Sequence, residues 1–479
     1  FHNGNDNDVT SKLDQQTDPE QRHYIGPMVA FLRLNPSLPK VRAVEHSIRD
    51  AITRGDLLPG ARLPATRELA AELGIARNTV VAAIDDLVAE GVLEARPRAG
   101  TFVARRTILA HPADTTVPEV RPTFDLRPGR PEHGSFPAAR WLAATRRATS
   151  SPELPHVHGG VFELRRQLAA YLGRARGVDT TAESIVICAG FRTACTLLAA
   201  ALASRGTASI AIEDPSLPAL DRPWRTAGLT VTDLAVDHDG ADVERLGNDI
   251  GAVLLTPSHQ FPIGGALLPV RRQIVADWAT ANASYIIEDD YDGEFRFDRR
   301  PIAALQRTLP EQVIYAGSTS KTLDPGLRLG WLALPHDLVQ PVIDASEELT
   351  GAAPTLNQLA LADLIRTGHY ERHVRRQRRE YARRRAYLQH ALHRAGNDAP
   401  GIPAGLHALI PVDEEHEIRA LEPEAIDADG VAVHALARYT RSRPQRPAII
   451  AGFATPSRAQ FEPAIEALVA WLKAPPNTD

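Results

Sequence analysis

Six short apolar runs constrain the fold of this chain more than any other feature of its sequence. They are Ser184–Ala189, Ala208–Glu213, Gly251–Thr256, Ala283–Glu288, Gln312–Ala316 and Leu329–Leu334. Stretches with a helical spacing of apolar residues, such as 193–203 and 269–281, lie between the runs. A continuous apolar run fits a strand that is covered on both faces, and the intervening helices supply the cover. The pattern predicts an α/β domain with a mostly parallel sheet.

Length and local composition divide the chain into four parts. Its 479 residues suggest two or three domains. Residues 1–34 start with a polar stretch that lacks the apolar core of a secretory signal, so we expect a disordered leader. Residues 35–106 form a small domain. Residues 107–122 contain three prolines and no periodic pattern, which indicates a linker, and residues 123–479 form a large domain.

Cysteine content, hydropathy and charge exclude several classes of protein. The two cysteines, Cys188 and Cys195, are too few for a disulfide framework, which fits a reducing cytoplasm. Because no run of about 18 apolar residues occurs, we expect no membrane span. The formal net charge of -5 does not indicate a chain that binds nucleic acid over its whole surface, so any such function must be local. We also expect no metal site.

The small domain has the pattern of a helix-turn-helix followed by a wing. Apolar residues at positions 41, 44, 48 and 52 predict a first helix. Thr66 is a candidate N-cap of a second helix that ends at Gly74, and Asn78 and Thr79 open a third. Residues 91–103 then form a two-stranded wing. In this arrangement the start of the third helix reaches DNA base edges. Residues 40–106 carry 11 basic and 9 acidic side chains, so placement rather than bulk charge must supply phosphate contacts.

Lysine is scarce in this chain, and one lysine lies deep in the large domain. Of 54 basic residues only four are lysines, namely Lys12, Lys40, Lys321 and Lys473. Arginine replaces lysine wherever a positive charge suffices, but it cannot be deprotonated to form an imine. Lys321 is therefore a candidate for covalent chemistry.

The region around Lys321 contains the chemical groups that pyridoxal phosphate requires. An acidic cluster, Glu288, Asp289, Asp290 and Asp292, follows one apolar run, at the strand end where α/β sheets bind ligands. Within it we expect Asp290 and Asp292 to cap the strand end or face solvent rather than to bind a ligand. Serines, a threonine, Lys321 and Arg328 follow the next run in the segment GSTSKTLDPGLRLGW. An acid for the pyridine nitrogen, an amine for the aldehyde, and hydroxyls with an arginine for the phosphate are the parts of such a site. The turn before residues 191–203 opens a helix that could hold the phosphate as well. No glycine-rich motif for a dinucleotide or a nucleoside triphosphate occurs.

The small domain resembles the GntR family of winged-helix regulators over about 60 residues without gaps. In that family the arginine of LPxxRELA, here Arg67, and the arginine and threonine that open the recognition helix, here Arg77 and Thr79, contact DNA. The wing usually carries a Gly-x-Gly tip, but this chain has Arg98-Ala99-Gly100. The resemblance implies double-stranded promoter DNA as a partner. The candidate DNA-contacting residues are Arg62, Arg67, Arg77, Asn78, Thr79, Arg98 and Gly100.

The resemblance extends over residues 40–479. The segments GGVFELRRQLAAYLGRARGV, TPSHQFPIGG, IIEDDYDGEFRF and GSTSKTLDPGLRLGW are similar to the MocR subfamily, which joins a GntR winged helix to a fold-type-I aminotransferase-like domain. The resemblance implies that Lys321 forms the Schiff base with pyridoxal 5'-phosphate, Asp289 pairs with the pyridine nitrogen and Tyr291 bonds the ring hydroxyl. It implies that the phosphate is held by Gly190, Phe191, Arg192, Ser318, Ser320 and Arg328. His259 is a further candidate for cofactor contact.

The chain departs from aminotransferases at two positions that would touch the cofactor ring. Leu217 stands where relatives usually have a stacking aromatic residue, and Phe261 stands where aminotransferases have an asparagine that bonds the ring hydroxyl. Both changes disfavour rapid transamination. An arginine for a substrate carboxylate is not fixed by spacing, and Arg438, Arg441 and Arg443 are the candidates.

Three functions remain in competition at this point. The large domain could be a sensor in which pyridoxal phosphate, or an amine that reacts with it, changes DNA binding. It could instead be an active aminotransferase, or a scaffold that only dimerises. The complete helix-turn-helix and the set of Lys321, Asp289 and Arg328 favour the sensor, with genes of vitamin B6 synthesis as targets. Fold-type-I domains imply a homodimer. The effector, the operator, the direction of regulation and residual transaminase activity stay open.

Overall fold

The computed structural model describes residues 32–104, 122–150, 154–155, 157–298, 302–421, 430–442 and 446–474. The chain divides into two compact units, residues 1–119 and 120–479. The leader expected over residues 1–34 and the linker expected over residues 107–122 lie almost wholly outside the described residues, and so does Arg443.

The small unit is a helix-turn-helix with a β-hairpin wing. Its elements are α1 (Lys40–Thr53), α2 (Thr66–Leu73), α3 (Arg77–Ala89), β1 (Leu93–Arg96) and β2 (Gly100–Val103). The two strands pair antiparallel, with Leu93 opposite Val103. Apolar side chains of all three helices and of the hairpin share one core. The predicted arrangement is therefore confirmed.

Two local details of the small unit differ from the expectation. Thr66 is the first residue of α2 rather than its N-cap, which is Ala65. The start of α2 is instead stabilised by Glu68, whose carboxylate accepts a hydrogen bond from the Ala65 main-chain nitrogen at 3.2 Å. Leu32 and Leu34 pack against the core, so the ordered unit begins before residue 35.

The large unit contains ten helices and thirteen strands among its described residues. They are β3 (Phe124–Asp125), α4 (Ala138–Thr149), α5 (Phe162–Arg176), β4 (Ile185–Cys188), α6 (Phe191–Ser204), β5 (Ser209–Asp214), α7 (Arg222–Thr226), β6 (Thr230–Asp237), β7 (Gly240–Ala241), β8 (Ala252–Leu255), α8 (Pro269–Asn282), β9 (Tyr285–Asp289), β10 (Val313–Ser318), β11 (Gly330–Ala333), α9 (His336–Leu349), α10 (Thr355–Arg366), α11 (His369–Arg394), β12 (Ala408–Pro411), α12 (Glu414–Leu421), β13 (Val431–Ala432), β14 (His434–Ala435), β15 (Ala448–Ala451) and α13 (Phe461–Lys473).

The central sheet confirms the predicted α/β architecture. Its eight strands follow the order β4-β11-β10-β9-β8-β5-β6-β7, and the pairings from β10 to β6 are parallel. β11 runs antiparallel to both neighbours. All six apolar runs form strands of this sheet, because helices cover both faces. The sequence analysis missed β6 and β7, since β6 is partly exposed and its apolar residues are not continuous.

The C-terminal part of the large unit has a sheet and a core of its own. β12, β15 and β14 pair antiparallel, and their apolar faces pack with α11 and α13. Helix α11 is rich in arginine, and its exposed face carries ion pairs such as Arg383 with Glu380 at 3.0 Å. Among the helices of the described residues, none has both the length and the apolar character that a bilayer span requires.

Candidate functional site

A cavity of about 460 Å³ lies at the carboxyl ends of the central strands. This is the edge where open α/β sheets bind ligands. Nine of the ten candidate cofactor residues line the cavity, and His259 alone is set behind it. The nine are Gly190, Phe191, Arg192, Asp289, Tyr291, Ser318, Ser320, Lys321 and Arg328. The fold thus brings together side chains from four separate segments of the sequence.

Lys321 follows β10 and extends across the cavity. Its Nζ donates a hydrogen bond of 2.6 Å to the main-chain oxygen of Gly129. Burial lowers the pKa of Lys321, although Asp292 and Asp289 act in the opposite direction. A lowered pKa increases the fraction of neutral amine, which is the nucleophilic form.

Asp289 ends β9 and faces the same cavity. Burial, together with the neighbouring Asp290, raises the pKa of Asp289 well above its usual value. Among the described residues, its carboxyl group has no hydrogen-bond partner. A carboxyl group in this situation favours a cation or an N–H donor next to it.

The acids that follow Asp289 have structural roles, and neither is the strand-end cap or solvated acid that the sequence analysis favoured. Asp290 is buried and forms an ion pair with Arg176 at 2.6 Å. It also accepts a hydrogen bond of 2.8 Å from Tyr315. Asp292 is buried as well, and its carboxylate lies 2.8 Å from Nδ1 of His259. The charges of the cluster are therefore met from within the protein, except at Asp289.

Tyr291 and His259 form one network behind the cavity. The Tyr291 hydroxyl lies 3.0 Å from Nδ1 of His259, which also contacts Asp292. Burial, with Asp292 and Asp289, raises the pKa of Tyr291 well above its usual value, so its hydroxyl keeps the proton. Tyr291 can therefore act as a donor into the cavity, while His259 acts only through Tyr291.

An anion-binding end is formed by α6 and the loop after β10. Gly190 is the N-cap of the 14-residue helix α6, with φ +93. The start of β11 passes close to the start of α6, and Gly330 permits this approach because a Cβ at position 330 would lie 3.0 Å from the Gly190 Cα. Ser318, Ser320 and Arg328 complete this end. In the part of the chain that the structure describes, the Arg328 guanidinium has no acidic partner. A helix N-terminus and an unpaired arginine together suit a phosphate.

These observations test whether the site fits pyridoxal 5'-phosphate. The amine of Lys321, the unpaired carboxyl of Asp289 and the unpaired guanidinium of Arg328 line one cavity. They match an aldehyde, a pyridine nitrogen and a phosphate in chemical type. The residues present fit the group.

Several cavity residues were missed by the sequence analysis. Glu213 is the last residue but one of β5, and its carboxylate accepts hydrogen bonds from the Thr256 main-chain nitrogen and from Gln260. Burial raises the pKa of Glu213 to about 7. The position of Glu213 near the carboxyl end of β5 was the sequence signal that could have identified it as a cavity residue. His407 packs edge-on against Phe261, with ring centroids 5.0 Å apart, and no sequence pattern marked it.

His407 also belongs to a group that the expectation of no metal site did not consider. One ligand atom each of His259, Asp292 and His407 lies within 4.8 Å of the others. The hydrogen bond between His259 and Asp292 accounts for two members of this group without a metal. We therefore treat the three as part of the network behind the cavity.

The three candidate arginines for a substrate carboxylate differ in where they lie and in what they contact. Arg438 lines the cavity. Arg441 is committed to the protein, since it bonds Asp233 at 2.8 Å and Ser216 at 2.6 Å. Arg443 lies outside the described residues.

The candidate DNA-contacting residues form an exposed surface on the small unit. Arg67 and Asn78 are exposed at the starts of α2 and α3, and Thr79 is partly exposed beside them. Arg77 is exposed, and among the described residues its side chain hydrogen-bonds only to the Thr66 hydroxyl, at 3.4 Å. This surface can meet a DNA groove without any rearrangement of the core.

The wing carries the remaining candidates. Arg62 is exposed and lies beside Gly100, where a Cβ would come within 3.0 Å of its Nε. Gly100 has φ +111, and Arg98 has φ +63. Glycine is favoured at such angles, which explains why a Gly-x-Gly tip is usual in this turn. Arg98 adopts the left-handed conformation that its side chain disfavours.

Two known protein families match this chain, and known regulators resemble it over most of its length. The family described as "Bacterial regulatory proteins, gntR family" matches residues 40–103, and "Aminotransferase class I and II" matches residues 125–468. The HTH-type pyridoxine biosynthesis transcriptional regulator PdxR of Corynebacterium glutamicum is 31% identical over 434 residues, covering 88% of this chain and 94% of that protein. The probable rhizopine catabolism regulatory protein MocR of Rhizobium meliloti is 32% identical over 378 residues, covering 72% and 76%.

Solved structures share the fold of the large unit. An archaeal alanine:glyoxylate aminotransferase matches with a TM-score of 0.67 at 22% identity, over 74% of this chain and 91% of that one. Aspartate aminotransferase of Thermus thermophilus matches with a TM-score of 0.63 at 21% identity, over 74% and 92%. This likeness establishes a fold-type-I aminotransferase fold. Together with the match of the small unit, it places the chain in the MocR subfamily of GntR-type transcription regulators.

Proposed function

We propose that this DNA-binding regulator responds to pyridoxal 5'-phosphate, or to an amine that reacts with it, bound in the cavity of the large unit. One observation carries the proposal. Asp289 and Arg328 face a single cavity without partners among the described residues, and Lys321 faces the same cavity. An enzyme-like pocket with this chemistry, joined to a winged helix, suits a ligand that controls DNA binding.

The chain's own residues divide the work of holding the cofactor. Pyridoxal 5'-phosphate supplies an aldehyde that condenses with primary amines. Lys321 offers the amine, Asp289 receives the pyridine N–H, and Tyr291 donates its proton toward the ring hydroxyl. The N-terminus of α6, with Ser318, Ser320 and Arg328, holds the phosphate. His259 and Asp292 orient Tyr291.

The hydrogen bond between Lys321 and Gly129 offers a route from the cavity to the linker. Gly129 lies a few residues after Pro122, where the expected linker ends. The same segment is held by the C-terminal sheet, since Gly452 donates to the main-chain oxygen of Leu126. When Lys321 is engaged elsewhere, this segment loses the hydrogen bond from Nζ to Gly129. The loss of this bond is a local change through which ligand binding would alter the segment next to the linker.

The nature of the effector follows from the ring contacts. Leu217 and Phe261 line the cavity where a stacking aromatic ring and an asparagine would favour turnover. We therefore propose that the cofactor itself is the signal and that genes of vitamin B6 synthesis are the targets. The printed name of the Corynebacterium glutamicum relative, a pyridoxine biosynthesis regulator, supports this choice. The protein would act as a cytoplasmic homodimer that reads two half-sites.

A second function has one specific observation in its favour. Arg438 lines the cavity, where it could bind the carboxylate of an amino acid. An active aminotransferase with an ancillary DNA-binding unit would use it in this way. Steady conversion of an amino acid and a keto acid by the purified chain would establish this alternative.

The decisive experiment compares three proteins titrated with pyridoxal 5'-phosphate. The wild type should develop a visible absorption band that sodium borohydride fixes covalently, and Lys321→Ala should not. Lys473→Ala, a change of another lysine on α13, should behave as the wild type. In a gel-shift assay with promoter DNA, the cofactor should alter the affinity of the wild type but not of Lys321→Ala. A band that persists in Lys321→Ala would contradict the proposed site, and unchanged DNA affinity would contradict the sensor.

A further inference from the structure

A second cavity of the large unit is lined by arginines. It measures about 640 Å³ and lies between the start of α4 and the middle of α11. Its charged lining residues are Arg140, Arg376, Arg379, Arg458, Glu132 and Glu380. It shares no lining residue with the proposed cofactor cavity. We call it the arginine cavity.

The two acids of the arginine cavity are already neutralised from within. Glu132 pairs with Arg384 at 2.9 Å. Glu380 pairs with Arg383 at 3.0 Å and with Arg384 at 2.9 Å. Arg384 is fully buried, so it is committed to these acids and to neighbouring main-chain oxygens. The acids therefore leave no net negative charge for the other arginines.

The arginines that face the cavity lack acidic partners. No ion pair or hydrogen bond of the Arg140, Arg379 or Arg458 side chains occurs among the described residues. Arg376 contacts only Nδ1 of His373, at 2.9 Å. Four exposed guanidinium groups thus line one concavity without an acidic partner among the described residues, and their mutual repulsion favours the binding of an anion.

Two further features point to an anion. Helix α4 starts at the cavity wall, and helix N-termini attract negative charge. The Ser135 hydroxyl in the same wall is buried and has no hydrogen-bond partner within the described structure. Burial, aided by Arg376, lowers the pKa of His373 to about 4, which is consistent with a positive local potential.

We infer that the arginine cavity binds a small anion that carries phosphate groups. The concave shape and the volume match small-molecule pockets, whereas a DNA backbone needs an extended track of charge. Arginine binds phosphate oxygens in pairs, so four arginines suit two linked phosphates better than a single carboxylate. This site does not depend on the proposed cofactor function.

The test is calorimetric titration of the full chain with inorganic pyrophosphate, at constant ionic strength. The titration is run without pyridoxal 5'-phosphate, which carries a phosphate and could itself enter the arginine cavity, and Arg328→Gln separates any binding at the proposed cofactor site. The wild type should bind pyrophosphate, and the double variant Arg379→Gln/Arg458→Gln should bind it at least about tenfold more weakly. Arg375→Gln, on the same helix but outside the cavity, should bind as the wild type. Thermal unfolding checks that all variants are folded.

The outcomes separate the possibilities. Loss of binding in the double variant alone supports the arginine cavity. Equal binding by the wild type and the double variant, or no saturable heat, overturns it. If binding is lost in Arg328→Gln but kept in the double variant, the anion belongs to the first cavity. If the double variant weakens duplex DNA binding and leaves pyrophosphate binding unchanged, the arginines serve DNA and the inference is wrong.

Discussion

The candidate residues of the two units differ in how the protein holds them. In the small unit, Arg67 and Arg77 are exposed, and within the described part of the chain the one hydrogen bond of the Arg77 side chain is a long one to Thr66. In the large unit, Asp290 and Arg176 beneath the cavity are both buried and bonded to each other. The candidate DNA-contacting side chains of the small unit are exposed, whereas the cavity of the large unit rests on buried bonds that form before any ligand binds.

This difference reflects what each site binds. DNA brings a dense row of negative charge, so exposed arginines gain their partners on binding and cost nothing when alone in water. A small ligand in a cavity cannot reorganise its surroundings cheaply, so the protein fixes the site with buried hydrogen bonds. We therefore expect substitutions of the buried pairs in the large unit to change stability, and substitutions of the exposed arginines of α2 and α3 to change DNA affinity alone.

The largest expected effect comes from the buried ion pair. Arg176→Met leaves the Asp290 carboxylate buried without its cation, because Arg176 is the group that pairs with it at 2.6 Å. We expect a loss of about 3–5 kcal/mol in the free energy of unfolding of the large unit. Calorimetric unfolding of the full chain measures it.

A neighbouring arginine supplies the control for this change. Arg174 lies on the same helix and pairs with Glu371 at 2.7 Å, but its side chain is 60% exposed. Arg174→Met should cost under about 1 kcal/mol. If the two variants lose equal stability, the large unit is not organised around its buried pairs, and the comparison with the small unit fails.

Glu213 predicts a pH dependence of the stability of the large unit. Burial raises its pKa to about 7 in the folded chain, above the usual 4.5 of the unfolded chain. Between these two values the folded state keeps a proton that the unfolded state has lost, so stability falls as pH rises from 4.5 to 7. Glu213→Gln should remove part of this fall, up to about 3 kcal/mol.

The measurement is the unfolding free energy of both proteins at several pH values. The difference between wild type and Glu213→Gln should vary between pH 4.5 and 7 and level off outside that range. DNA affinity of the two proteins, measured without added cofactor, should stay the same. A difference that does not depend on pH would show that folding leaves the pKa of Glu213 unchanged.

Arg77→Ala tests the small unit. Because the guanidinium has no strong partner in the protein, its loss should leave the thermal midpoint unchanged. DNA affinity, measured by fluorescence anisotropy with the duplex upstream of the chain's own gene, should fall by about 1–3 kcal/mol. Arg42→Ala, an exposed arginine of α1, is the control and should leave affinity unchanged. A fall in the thermal midpoint of Arg77→Ala would show that the DNA-contacting surface, like the cavity of the large unit, is held by contacts within the protein.

The sequence predicted the fold because its signals are local. Continuous apolar runs marked the buried strands, and Gly74, with φ +64, ends α2 at the expected turn. Strand β6 was missed, since half-exposed strands lack a continuous apolar run. The sequence also assigned Lys321, Asp289 and Arg328 to one candidate site, because short motifs carry these residues.

What could not be predicted depends on contacts between distant segments. Asp290 was expected to cap a strand or face solvent, but Arg176 lies 114 positions earlier in the chain and binds it. His407 comes from the C-terminal sheet and reaches the cavity only in the folded chain. A single sequence gives no measure of such pairings, so buried acids were assigned to solvent by their type alone.

The smallest effect is expected at the wing tip, where stability and DNA binding should change in opposite directions. Arg98 has φ +63, so Arg98→Gly should relieve backbone strain and stabilise the small unit by up to about 1 kcal/mol. If Arg98 contacts a phosphate, the same change should lower the slope of log affinity against log salt by about one. Arg98→Lys should keep the slope and gain no stability. An unchanged slope in Arg98→Gly would place the wing tip away from DNA and restrict the exposed binding surface to α2 and α3.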